Sequence, residues 1–166
     1  SRAQIMMVAL CATAVFSATA AEGPRVERRK PLTARVGIVG VGHHTYWGQF
    51  EGLLDELKGK MTKLDAKVKA NGAETVSFGI LDEAQEAYDA LPKMKAADLD
   101  VLFIDMVTYA TSSTFGVIAR DLNVPIVLVA MQPLKAMPYA KAKTYTQLCN
   151  DDFCSVPEFT GVAIRM

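Results

Sequence analysis

The sequence predicts an α/β domain built on a parallel sheet, and three observations lead there. Four short apolar runs read as strands: residues 36–41 (VGIVGV), 75–81 (TVSFGIL), 101–106 (VLFIDM) and 125–131 (PIVLVAM). Between them lie amphipathic stretches with helical spacing. The first run is apolar on both faces, as a strand inside a parallel sheet must be. The order β-α-β-α-β-α-β implies a three-layer, flavodoxin/Rossmann-like arrangement with helices on both faces and strand order 2-1-3-4.

The chain has 166 residues, 51% of them hydrophobic, which is enough for one domain with a sizeable core. Its 18 basic and 18 acidic residues balance to zero formal charge, and no basic patch stands out, which argues against a nucleic-acid partner. The chain starts at Ser1 and stops at Met166, and we expect it to be a truncated part of a larger protein.

Residues 1–20 read as a secretory signal peptide. Arg2 supplies the positive start, IMMVALCATAVF the apolar stretch, and Ala18-Thr19-Ala20 the cleavage site. The stretch is too short for a stable membrane span. An N-terminal helix or an uncleaved anchor is the alternative. A used signal means export to a periplasmic or extracellular space, and an unused one leaves the chain cytoplasmic. Residues 21–33, with two prolines and the run Arg28-Arg29-Lys30, read as a polar linker. The α/β domain then occupies residues 34–166.

After the first strand, Phe50, Leu53, Leu54, Leu57, Met61, Leu64 and Val68 follow helical steps, with charges including Lys58, Lys60 and Lys63 assigned to the other face. Asn71-Gly72 ends that helix. Asp82 is expected to cap a helix over residues 83–91, which Pro92 should interrupt before a further turn to Ala97. The turn Asp98-Leu99-Asp100 precedes the third strand. Ser112, Ser113 and Thr114 precede a helix ending at Asn123. Pro125 is acceptable as a first strand residue, because its missing N–H is not needed there. Beyond Gln132 the periodicity fades, and helices are expected within 135–148 and over 156–163.

Strand order 2-1-3-4 puts a topological switch point between the ends of strands one and three, where open α/β sheets keep ligands. His43, His44, Thr45 and Tyr46 lie on one flank and Asp105 to Tyr109 on the other, with Gln132 after strand four. Gly40-Val41-Gly42 lacks the third glycine of a dinucleotide fingerprint. Adjacent His43 and His44 point different ways and make a poor chelate, although Asp105 is placed to join one of them. Cys149 and Cys154 form a candidate disulfide in an exported protein, or two thiols beside a pocket. Asp151 and Asp152 read as exposed or capping. No nucleophile stands beside a base, and there is no phosphate-binding loop. Phe50 and Trp47 read as packing, and Tyr46 as the aromatic left for a ligand.

These residues resemble a family. VGIVGVGHHTYWGQFEGLL is similar to the opening of the L-arabinose and L-fucose isomerase-like sugar isomerases, and LDVLFIDMVTYATSS, PIVLVAMQPLKAMPY and EFTGVAIRM resemble later stretches of the same first domain. The resemblance spans residues 34–166. It implies a three-domain, homo-oligomeric aldose–ketose isomerase, an intramolecular oxidoreductase of carbohydrate metabolism. A divalent metal, Mn2+, would be held by Glu and His of downstream domains, with no catalytic residue or metal ligand in this part of the chain. The first domain would close over a monosaccharide, with His43, Thr45, Tyr46 and Gln132 at matching positions, and alone it would be inactive. Ala130 stands where L-arabinose isomerases carry a histidine, and His43 where they carry glutamine, which marks a divergent branch. A non-catalytic sugar-binding module and a flavodoxin-like cofactor domain are the alternatives.

Overall fold

Side-chain alternation along the first strand assigns a helix to each face of the sheet. The computed structural model describes residues 32–166, so the expected signal peptide and most of the expected linker lie outside the described residues. The elements run β1 (Arg35–Val41), a 3-10 turn (His44–Tyr46), α1 (Leu53–Ala70), β2 (Glu74–Leu81), α2 (Ala84–Ala96), β3 (Val101–Asp105), α3 (Ser112–Asp121), β4 (Ile126–Val129), α4 (Thr144–Leu148) and α5 (Val156–Ala163). The four strands form one parallel sheet in the order β2-β1-β3-β4, as the sequence predicts.

Val36 and Ile38 of β1 pack into a core with Leu53, Leu57, Met61 and Leu64 of α1. Val39 and Val41 point the other way, into a second core with α2, α3 and Phe159 of α5. In β3 the same alternation sends Leu102 and Ile104 to the second core and Phe103 to the α1 side. Asp105 follows Phe103 by two residues and therefore faces α1.

Gly40 makes room for α1. A Cβ there would stand 2.6 Å from Met61 Sδ and 2.9 Å from Ile80 Cγ1. Gly79 takes φ +77° where the β1–β2 register shifts, the geometry of a glycine bulge.

Three expectations about the elements are corrected. Pro92 lies inside α2 and does not interrupt it. One main-chain hydrogen bond is lost, but Ala87, Leu91 and Met94 bury on the sheet across that position and hold the turn in line. Asp82 does not cap α2. Glu83 occupies the cap position, and the Asp82 carboxylate accepts instead from the Trp47 indole Nε1. Residues 135–143 carry no helix: Pro133 and Pro138 break the segment, and only Thr144–Leu148 is helical. Among the described residues, no helix is long and apolar enough to cross a membrane.

Replacing Gly40 with valine should destabilise the domain by about 1–3 kcal/mol in urea denaturation, because α1 must retreat from the sheet. Gly59 lies mid-helix with nothing near its missing Cβ, so Gly59→Ala should stabilise by about 0.5–1 kcal/mol. Equal effects at the two glycines would show that the Met61–Gly40 contact does not govern the seating of α1.

Candidate functional site

The chain leaves β1 at Gly42 and turns at once, and Trp47 anchors the turn. Its ring lies over Gly42, where a Cβ would come within 2.9 Å of it. The indole N–H reaches across to Asp82 at the end of β2. With Trp47 pinned, the loop before it presents its other side chains along the carboxyl ends of the strands.

His43, Tyr46 and Tyr109 come together there. The His43 ring lies 5.6 Å from that of Tyr46 and stacks on that of Tyr109, from the β3–α3 loop, with centroids 6.1 Å apart and planes at 18°. His43 caps the 3-10 turn: its Nδ1 accepts from the Thr45 backbone N–H, and the Thr45 hydroxyl sits 2.9 Å from the same nitrogen. With Nδ1 accepting, a proton on the ring sits on Nε2. Burial raises the Tyr46 hydroxyl above its usual pKa, helped by Tyr109, Asp151 and Cys154 nearby. Asp151 and Cys154 of the C-terminal segment thus act on Tyr46 through their charge.

The other expected residues are placed differently. His44 turns toward the β2–α2 junction, where Nδ1 pairs with Glu83 at 3.2 Å. Gln132 is exposed on the loop after β4, and no ring or hydrogen-bond contact among the described residues ties it to His43 or Tyr46. Asp105 is 1% exposed and lies beneath the site, not on its surface.

Below the aromatic face is a buried ionic cluster. Lys60 of α1 is 7% exposed, and Asp152, just before α5, is fully buried. Lys60 Nζ donates to the carbonyls of Val107 at 2.7 Å and Cys149 at 3.2 Å. Asp152 Oδ1 lies 2.6 Å from Nζ, a close but poorly aligned ion pair, and among the described residues no other side chain meets either Asp152 oxygen. Asp105 Oδ2 and Thr108 Oγ1 are also buried without a hydrogen bond. Burial pushes the Asp105 carboxyl up to about 6, against the pull of Lys60 and with the help of Asp152. Asp152 is also raised by burial, with Lys60 opposing.

Lys60 and Asp152 are the residues that sequence reasoning misplaced. The sequence pattern assigns Lys60 to the solvated face of α1 and Asp152 to an exposed or capping position. The signal for Lys60 lay in its spacing: it stands three residues after Leu57 and four before Leu64, both buried. A charge in an apolar register is a buried charge with a partner.

The C-terminal segment is fastened to the β3–α3 loop at several points. Ser155 Oγ accepts from the Ala110 N–H at 2.9 Å and donates to the Ala110 carbonyl at 2.8 Å. Glu158 accepts from the Ser112 N–H, and Phe159 stacks on Phe115 with centroids 4.8 Å apart. Cys149 and Cys154 are free thiols, the first buried and the second exposed, so the candidate disulfide is absent here. Burial raises both, Cys149 to about 12 and Cys154 to about 11, and they stay protonated at neutral pH.

Two cofactor chemistries meet obstacles in this geometry. A dinucleotide needs a helix N-terminus at the glycine turn, but Trp47 covers Gly42 and α1 begins only at Leu53. His44, Asp82 and Glu83 bring one ligand atom each within 4.8 Å of one another. Those donors already serve Trp47 and each other at a solvent-facing edge, so they do not fit the role of a catalytic Mn2+ centre.

Lys60→Met should cost about 3–5 kcal/mol at pH 7.5, because it leaves two buried carboxylates without a counter-charge. The sign with pH follows from the raised folded-state pKa of Asp105. The group favours the fold below its unfolded value near 4, and that contribution is lost as pH rises through about 6. The deficit of the variant should therefore shrink at pH 4.5. Denaturation curves at the two pH values test it, and a deficit independent of pH would refute the assignment.

No protein-family model matches the chain, and no curated protein matches it.

Proposed function

We propose that this chain is the N-terminal α/β domain of an aldose–ketose sugar isomerase, and that it covers a monosaccharide with the face formed by His43, Thr45, Tyr46 and Tyr109. The observation that supports this most is the meeting of His43, Tyr46 and Tyr109 at the ends of β1 and β3. Aromatic rings offer apolar area to the C–H face of a sugar, while a phenol and an imidazole hydrogen-bond its hydroxyls. Among the described residues, the four that form the face include no lysine or arginine, and the charge of Asp151, which acts on Tyr46, is acidic. That composition favours an unphosphorylated sugar over a sugar phosphate.

In this reading the chemistry lies in other domains. A divalent metal, Mn2+ by resemblance, would be held by them and would polarise the sugar's oxygens. The residues on this chain bind, orient and exclude water. His43, with Nδ1 held by Thr45, would direct Nε2 at a sugar hydroxyl. Tyr46 and Tyr109 would flank the ring. The domain would work across a subunit boundary in a homo-oligomer, and the signal peptide would send the protein out of the cytoplasm.

In the complete protein with Mn2+ and a panel of unphosphorylated aldoses, His43→Ala should lower kcat/KM by about tenfold or more, a loss of roughly 1.4 kcal/mol of transition-state binding. His44→Ala should leave it within about twofold. Sugar-induced shifts at the 43–46 loop without any turnover would favour the non-catalytic sugar-binding module. Absence of both turnover and binding would overturn the sugar reading.

A further inference from the structure

We infer that Lys60, Asp105 and Asp152 form a proton-linked latch: one bound proton seats the turn at residues 150–155 on the sheet, and its loss lets that turn open.

Charge balance gives the first argument. Two carboxylates face one ammonium in an interior where Asp105 and Asp152 are at most 1% exposed. With both acids ionised, the cluster keeps one uncompensated negative charge and buried oxygens without partners. A single proton on one carboxyl makes it neutral. Among the described residues, the surroundings supply no other counter-charge. Beside Asp105, β1 contributes Gly40 and β4 contributes Val129. From α1 come Lys60 and, further out near Cys149, Glu56. The C-terminal segment adds Asp152, the protonated thiol of Cys149, and Asp151, which raises Asp152 further.

Connectivity gives the second. The excess charge has two ways to be relieved, a proton or water. Asp105 ends a central strand paired on both sides and cannot leave. Asp152 sits on a turn between α4 and α5 with no strand pairing. After it, Glu158 and Phe159 hold α5 to the β3–α3 loop. Within it, Asn150 accepts from the Leu134 N–H and Ser155 pairs with the Ala110 backbone at the two ends, while Asp152 between them is tied to α1 through Lys60. Hydrating the excess charge therefore means releasing this turn. Because Asp151 and Cys154 lie on it and their charges act on Tyr46, the latch sets the electrostatic surroundings of the aromatic face. This inference does not depend on the identity of the ligand.

Backbone amide exchange of residues 150–155, corrected for intrinsic rates, tests it in the wild type and in Asp105→Asn between pH 4.5 and 7.5. The asparagine stands in for the protonated acid. In the wild type the opening constant should rise by up to about tenfold per pH unit, as one-proton linkage requires, and level off above about pH 6. These amides should exchange at least about tenfold faster than those of β1 and β3, as local opening requires. Asp105→Asn should abolish the rise and protect the turn about tenfold or more at pH 7. The same pH slope in Asp105→Asn would overturn the latch. So would exchange of the turn at the rate of the central strands, because opening would then be global.

Discussion

The ammonium of Lys60 is the contact on which the site depends. It leaves α1, passes under the ends of the strands and meets the carbonyls of Val107 and Cys149 and the carboxylate of Asp152. One side chain thus joins a helix, the β3 loop and the C-terminal segment. A buried ion pair of this kind contributes little net stability compared with apolar residues of the same volume, but removing one partner is costly. Its effect is geometric: it fixes where residues 149–155 lie, and with them Asp151 and Cys154.

The aromatic face follows from that placement and from Trp47. Trp47 clamps the β1 loop by covering Gly42 and donating to Asp82. Ser155 clamps the β3 loop by pairing with both polar groups of the Ala110 backbone. Between these clamps His43 and Tyr109 stack. Each clamp joins segments distant in sequence, so the face exists only once the sheet and the C-terminal segment are assembled.

This explains which features were legible in the sequence. The strands and their order follow from local patterns: apolar runs of strand length separated by helical spacing, with Gly72 closing α1. The switch point follows from that order, and so do the approximate places of His43, Tyr46 and Asp105. Pro92 misled because its cost in a helix is local, whereas the burial of Leu91 and Met94 that outweighs it is tertiary. Asp82 misled because a distant indole, Trp47, took the carboxylate that a local rule assigned to a cap. Asp152 was illegible for a different reason. Nothing near it in sequence is basic, and its partner lies ninety-two positions earlier on α1. Lys60 alone carried a readable sign, its apolar register.

The division of charge between the two layers bears on what the site can do. Lys60, Asp105 and Asp152 are held in the interior, where water does not screen them and where an acid can keep a proton near neutral pH. The surface above them offers rings and hydroxyls, and its nearby thiol, Cys154, stays protonated. A nucleophile or general base needs a titratable group that reaches the ligand, and the two carboxylates with raised pKa values do not reach it. On the proposed reading, the layer that touches solvent recognises the sugar and the layer beneath it holds that surface in shape. This separation suits a domain that covers a substrate whose chemistry is supplied elsewhere, and it makes the buried proton a means of adjusting the cover without adding a charge to it.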